Sequence, residues 1–206
     1  MAARVILLHG LWMRGFAMAL LRHRLHEDGY DVETFDYLSV AAPLDRAVQR
    51  LRERMLAGEG TTHLVGHSLG GVLALLAARD ESVPARGRIV CLGSPLRGSA
   101  AAQHLTDHGG AWLLGHSRDL LEHGLQRWDG PQQVGVVAGS LPLGLGNLFA
   151  GFDGDHDGTV AVAETRLPGI AAHCTVEASH TGLLFSSEAA TETLAFLRQG
   201  VFGSGD

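Results

Sequence analysis

A chain of 206 residues with 46% apolar and 18% charged side chains is long enough for one globular core and too apolar for a disordered segment. A net charge of −6 without a long basic run argues against nucleic acid as the partner. No stretch reaches transmembrane length, and the apolar start is too short for a secretory signal, so a soluble protein without stable membrane insertion is expected. Val5–Leu8 is a continuous apolar run and reads as a strand buried on both faces. Phe16–Glu27 carries Phe16, Leu20, Leu21 and Leu25 at helical spacing and stops at Gly29. Asp31–Phe35 is a second strand. Pro43 opens a helix with Leu44, Val48, Leu51, Met55 and Leu56 on one face, and the arginines at 46, 50, 52 and 54 form its solvated side. Strand Thr62–Val65 and helix Leu69–Arg79 follow, then strands Arg88–Leu92, Val134–Ala138 and Cys174–Ala178, and a last helix over Ala189–Leu197. Gly203 to Asp206 reads as a frayed tail.

Strands alternating with helices predict a parallel sheet with helices on both faces, in one domain spanning 1–206. Residues 96–131 interrupt the alternation. Trp112, Leu113, Leu114, Leu120, Leu121, Leu125 and Trp128 provide for one or two short helices, read as a small cap or else as a long crossover. Cys91 and Cys174 fall on strands with another between them, about 10 Å apart and too far for a disulfide. A reducing cytoplasm is the expected compartment.

The chemistry centres on Gly66-His67-Ser68-Leu69-Gly70-Gly71. The pattern G-x-S-x-G lies between a predicted strand and a predicted helix, where a serine occupies a sharp, strained turn at the carboxyl edge of the sheet. The helix N-terminus behind it supplies N–H groups and a positive dipole end for a developing oxyanion. Serine acyl transfer also needs a base, an orienting acid and a second oxyanion donor. Among 12 histidines, His180 directly follows the last strand, whereas His173 precedes it. Asp153, Asp155 and Asp157 are the candidate acids after the fifth strand. The same loop fits an EF-hand: Asp153, Asp155, Asp157, Gly158, Val160 and Glu164 hold positions 1, 3, 5, 6, 8 and 12. The flanks lack the two helices such a loop requires, because Pro142, Gly144 and Gly146 precede it and Pro168-Gly169 follows. The loop after the first strand, His9-Gly10-Leu11-Trp12, offers the Leu11 N–H to join that of Leu69, with His9 bracing the loop.

These segments resemble the α/β-hydrolase superfamily, specifically its small bacterial lipases and esterases and GPI inositol-deacylase-like members. His9-Gly10-Leu11-Trp12 is similar to their oxyanion loop and Gly66–Gly71 to their nucleophile elbow. Leu92-Gly93-Ser94-Pro95-Leu96-Arg97-Gly98-Ser99 resembles their Thr-Pro-x-x-Gly-Ser stretch, with Ser94 in place of threonine. Asp157-Gly158-Thr159-Val160 resembles their acid-bearing Asp-Gly-x-Val, which selects Asp157 over its neighbours, and Ser179-His180-Thr181 their histidine block. The resemblance implies the α/β-hydrolase fold in a minimal form: a six-stranded, mainly parallel sheet flanked by helices, lacking two early strands. It implies a carboxylic ester hydrolase with Ser68 as nucleophile, His180 as base and Asp157 as acid, and oxyanion donors at Leu11 and Leu69. An apolar mouth of Trp12, Met13, Leu96, Leu143, Leu183 and Leu184 suits an acyl ester as small-molecule substrate. No cofactor or metal is called for. A thioesterase or amidase on the same residues, or an inactive calcium-binding module, are the alternatives.

Overall fold

The structure, a computed structural model, describes residues 2–58, 60–84, 86–143 and 154–203. Its strands are β1 (Arg4–Leu8), β2 (Asp31–Phe35), β3 (Thr62–His67), β4 (Arg88–Leu92), β5 (Gln133–Gly139) and β6 (Ala172–Val176). They form one sheet in the order β2-β1-β3-β4-β5-β6, and every pairing is parallel. The helices between them are α1 (Ala19–Glu27), α2 (Leu44–Leu56) and α3 (Leu69–Ala78). Later come α4 (Ala100–Asp107), α5 (Ala111–Leu114), α6 (Arg118–His123), α7 (Val162–Thr165) and α8 (Ser187–Gln199).

Alternate residues of each strand face opposite sides, so the continuous apolar runs build two cores. Ile6, Leu8, Leu64, Ile89, Val134 and Val136 pack with α2 and α3 on one face. Val5, Leu7, Val65, Val90, Leu92 and Val137 pack with α1 and α8 on the other. Burying such a side chain contributes roughly 1.5–3 kcal/mol. α3 is buried all round except at Leu76, being enclosed by the sheet and α2. Its fit against β3 depends on Gly66, because a methyl there would lie 2.4 Å from the Gly70 backbone. The arginine side of α2 is used: Arg52 donates to the Leu76 and Ala77 carbonyls near the end of α3 and pairs with Asp80 at 3.1 Å.

Three local expectations are corrected. Phe16 is 81% exposed, because Gly15–Met18 forms a 3₁₀ turn that rotates it off the face later taken by Leu21 and Leu25. Leu56, at the end of α2, is also exposed, one residue past the buried stripe ending at Met55. β6 begins two residues early, since the Ala171 N–H already bonds the Val134 carbonyl at 2.8 Å. The segment after β4 holds three short α-helices and a 3₁₀ turn at Gly115–Ser117. Leu114, Leu121, Leu125 and Trp128 join the core on the α2–α3 side, and Leu96 is fully buried there. Gly115 has φ +53 and lies against the Val40 carbonyl, where a side chain has no room. His116 N–H and the Ser117 hydroxyl bond the Val40 and Ser39 carbonyls, fastening this segment to the loop after β2. Cys91 lies on β4 and Cys174 on β6, with β5 between them. No helix among the described residues is long and apolar enough to cross a membrane. Ser204–Asp206 and Asp153 lie outside the described residues.

Candidate functional site

The strand order places the site. From β1 the chain moves to β2 on one side, then returns to β3 on the other. The loops leaving the carboxyl ends of β1 and β3 therefore diverge, and a crevice opens between them. Gly10 follows β1 and Ser68 follows β3. A Cβ built on Gly10 would fall 3.1 Å from Ser68 Cβ, 3.1 Å from His67 Nδ1 and 3.3 Å from Met13 Sδ. Glycine leaves the two loops room for this approach, and a larger residue would require its neighbours to give by a few tenths of an ångström.

Ser68 has φ +55 and ψ −123, a strained conformation for a residue with a side chain. It is held by what surrounds it: its N–H bonds the Leu92 carbonyl at 2.8 Å and its carbonyl accepts from Gly71 at 3.1 Å. Leu69, the next residue, starts α3. The strained turn and the glycines at 66 and 70 belong together, since Gly70 must pass within contact of the Leu8 and His9 carbonyls.

His180 and Asp157 meet in the loops after β6 and β5. His180 Nδ1 lies 2.7 Å from Asp157 Oδ2. The Asp157 side chain is 1% exposed and that of His180 12%. Asp157 Oδ1 accepts from the N–H groups of Thr159 at 2.9 Å and Val160 at 2.7 Å. The carboxylate thus takes three hydrogen bonds, which compensates its removal from water. The His180 N–H bonds the Asp157 carbonyl at 2.8 Å, so backbone and side chain fix the same pair. With Nδ1–H given to Asp157, the His180 Nε2 is left as an acceptor. Gly93, after β4 and with φ +55, runs beneath the pair. A Cβ there would be 3.0 Å from Asp157 Oδ2, 3.2 Å from His180 Nδ1 and 2.7 Å from Leu183 Cδ1.

His67 joins the pair to the serine turn. It is 1% exposed, its Nε2 is 2.8 Å from the His180 carbonyl, and its ring centroid is 4.7 Å from that of His180. His9 is fully buried and braces its loop. Its Nδ1–H donates to the Gly10 carbonyl at 2.9 Å, its ring stacks on Tyr37 at 4.4 Å, and the Tyr37 hydroxyl donates to the His9 carbonyl at 2.7 Å. Burial holds His9 below the usual histidine range. His173 lies on β6 at the far edge, 2.8 Å from Thr165 Oγ1.

The buried histidines make stability pH-dependent. Burial lowers His63 to about 4 and His67 to about 3. The unfolded chain takes up these protons near pH 6.5, and the folded chain only below about 4. Their contribution is therefore complete above about pH 6.5 and lost as pH falls towards about 4. For His63 the loss is about 3 kcal/mol. Thermal melts between about pH 7 and 4.5 should show a falling Tm. His63→Asn retains an acceptor for the Arg88 N–H now bonded to His63 Nδ1, and it should flatten the slope. An equal slope in both proteins would exclude His63 as its source.

The expected apolar mouth divides. Trp12 is 61% and Leu143 62% exposed, and Met13 is half-buried beside Ser68. Leu96, Leu183 and Leu184 are core side chains, at most 1% exposed, and do not open to solvent. Leu183 is turned in against Gly93, next to the His180–Asp157 pair, and Leu96 sits in the core cluster on the α2–α3 side. Trp12, at φ +57, is bonded through its N–H to Ser39 Oγ and through its indole N–H to the Leu113 carbonyl. Two of the calcium-loop side chains, Glu164 and Asp157, are otherwise engaged, and Asp155 is exposed. Glu164 accepts from the Ala100 and Ala161 N–H groups, and Asp157 is occupied as described. Among the described residues no cluster of three His, Cys, Asp or Glu is placed to hold a metal. A cavity of about 520 Å³ lined by Tyr30, His63, Arg88 and Arg198 lies at the opposite, amino edge of the sheet.

A family model described as the alpha/beta hydrolase family matches residues 5–195. The chain belongs to the alpha/beta hydrolase family. The sheet and its flanking helices are accordingly the alpha/beta hydrolase fold. Among solved structures, the chain is similar to the Bacillus licheniformis lipase BlEst2 in its propeptide form, with a TM-score of 0.77 and 18% identity over 99% of this chain and 51% of the other. The mature form gives 0.69 and 19%, over 98% and 93%. A pyrethroid hydrolase from Sphingobium faniae JZ-2 gives 0.62 and 15%, over 97% and 98%. At these identities the likeness is one of fold. A curated relative, erythronolide synthase EryA2 of Saccharopolyspora erythraea, is 36% identical over 103 residues, half of this chain but 3% of that protein. This alpha/beta hydrolase thus spans a small fraction of that relative and about half of the first lipase structure.

Two residues that complete the site escape sequence reasoning. Gly93 is visible there only as a loop glycine, though a glycine directly after a central strand is a signal of close approach. His67 stands between Gly66 and Ser68 with no local signal of its burial against His180.

Proposed function

We propose that this alpha/beta hydrolase cleaves carboxylic esters of small molecules through an acyl-enzyme. The reading is carried by the strained Ser68 turn and the hydrogen-bonded His180–Asp157 pair, which His67, next to Ser68, joins through its bond to the His180 carbonyl. Ser68 Oγ attacks the acyl carbonyl while His180 Nε2 takes its proton. The tetrahedral oxyanion is received by the N–H groups of Leu69, at the start of α3, and of Leu11, in the loop held against Ser68 by Gly10. Asp157 keeps the His180 proton on Nδ1 before attack and stabilises the imidazolium after it. His180 then protonates the leaving alcohol, and water repeats the sequence to release the acid. The residues need no metal or cofactor for these steps. Exposed Trp12 and Leu143 and half-buried Met13 provide apolar contact for the acyl chain, and helices α4–α6, joined to Trp12 through Leu113, form a small cap.

Labelling with a fluorophosphonate probe tests the reading. The adduct should map to Ser68, and an acyl-length series of nitrophenyl esters should be turned over with an optimum at short to medium chains. Matched ester, thioester and amide substrates should be cleaved best as the ester. An unlabelled Ser68 in folded protein would refute the mechanism, and a thioester preference would move the substrate class while keeping it.

A further inference from the structure

A histidine with both ring nitrogens out of water normally satisfies both. His67 does not. Its Nε2 meets the His180 carbonyl at 2.8 Å, and a carbonyl only accepts, so the proton is on Nε2. Its Nδ1 is buried with no hydrogen-bond partner among the described residues and lies 3.1 Å from where a Gly10 Cβ would be. Such an orphaned acceptor costs on the order of 1–3 kcal/mol. A leucine would fill the space between β3 and the following turn without that cost, so packing alone does not account for a histidine here.

The ring's position offers an account. His67 is the chain neighbour of Ser68, it faces the Gly10 loop through Nδ1, and it holds the backbone of His180 across 113 residues of sequence. The loop carrying His180 has its other fastening on Asp157, through the His180 N–H and Nδ1. Those bonds set His180 relative to the acid. The bond from His67 sets it relative to the serine turn. We propose that His67 is a positioning residue that fixes the distance between the nucleophile Ser68 and the base His180 by donating Nε2–H to the His180 carbonyl. The inference rests on the serine-hydrolase reading above.

The ring must be neutral to do this, since a cation 4.7 Å from the His180 ring would oppose the imidazolium formed during attack. Burial, reinforced by the nearby His180, holds His67 down to about 3, so it is neutral near neutral pH. The chemistry of the donor matters more than the ring. A glutamine places its amide nitrogen near the Nε2 position, whereas an asparagine reaches only as far as Nδ1.

The test uses His67→Leu, His67→Gln and His67→Asn, with kcat, KM, fluorophosphonate labelling rate and Tm measured for each. Without the donor, His180 is free to shift relative to Ser68, and misplacement on the scale of about 1 Å costs about 100-fold. His67→Leu should lose about 10- to 100-fold in kcat and in labelling rate, with KM within about twofold. His67→Gln should recover most of the loss, and His67→Asn should not. Wild-type kcat and labelling in folded His67→Leu would overturn the proposal, as would a loss confined to KM. Should His67→Leu not fold, the comparison of glutamine with asparagine decides: equal activities overturn the proposal, and a higher rate for glutamine supports it. Absence of labelling at Ser68 in the wild type is a different result and would instead refute the function on which the proposal stands.

Discussion

Ser68→Ala is expected to lower kcat by about 10⁵- to 10⁶-fold while leaving the fold intact. The hydroxyl is the only group lost, and alanine meets the same strain at φ +55 that serine does. The bonds that hold the turn are backbone bonds, from Ser68 N–H to Leu92 and from Gly71 to Ser68, and they survive the substitution. The Tm should therefore change by little. What activity remains comes from substrate binding and the oxyanion donors. Turnover of a nitrophenyl ester and thermal melting by circular dichroism are the two measurements. A folded Ser68→Ala protein with near wild-type turnover would remove the nucleophile from the reading, and with it the roles of His180 and Asp157.

Asp157→Asn should cost about 10⁴ in turnover, by analogy with serine proteases. The asparagine side chain is nearly isosteric, and its carbonyl oxygen can still accept from the Thr159 and Val160 N–H groups. Its amide nitrogen would then face His180 Nδ1, where Asp157 Oδ2 now accepts a proton at 2.7 Å. The imidazole must in that case accept at Nδ1 and carry its proton on Nε2, the wrong tautomer for taking a proton from Ser68. The same variant separates catalysis from calcium binding. Asp155 is exposed, and Glu164 already gives both oxygens to backbone donors. Asp155→Asn and Asp153→Asn should cost little, and a chelator should leave activity unchanged. Glu164→Gln should act mainly on stability, since it disturbs the turn before α7 and the start of α4. Equal activity losses across Asp153, Asp155, Asp157 and Glu164 variants, mimicked by chelator and rescued by calcium, would assign this loop to metal binding.

The sequence determined by itself whatever is encoded within a single element. Uninterrupted apolar runs such as Val5–Leu8 and Leu64-Val65 dictated strands buried on both faces, and these belong to parallel sheets. The glycines at 66, 70 and 71 around Ser68, between a strand run and a helix run, dictated the sharp turn, because both partners of the close contact lie within a few residues. Even the divergence of the Gly10 and Ser68 loops follows once the strand order is known. Asp157 was singled out only through resemblance, since three aspartates at alternate positions are alike in composition and in spacing.

Tertiary structure alone decided the rest, because it depends on which distant segments the sheet order brings together. Asp157 differs from the exposed Asp155 by facing His180, which follows a different strand. Leu183 and Leu184 read as mouth residues because they follow a strand end; packing turned them inward, Leu183 against Gly93. Phe16 and Leu56 fit a helical stripe in register and were excluded from it by a 3₁₀ turn and by the helix end. His67 is the clearest case: no window of sequence around it contains His180. A buried carbonyl takes whatever donor the fold places nearest, and that choice is made by the packing of strands and not by any periodicity along the chain.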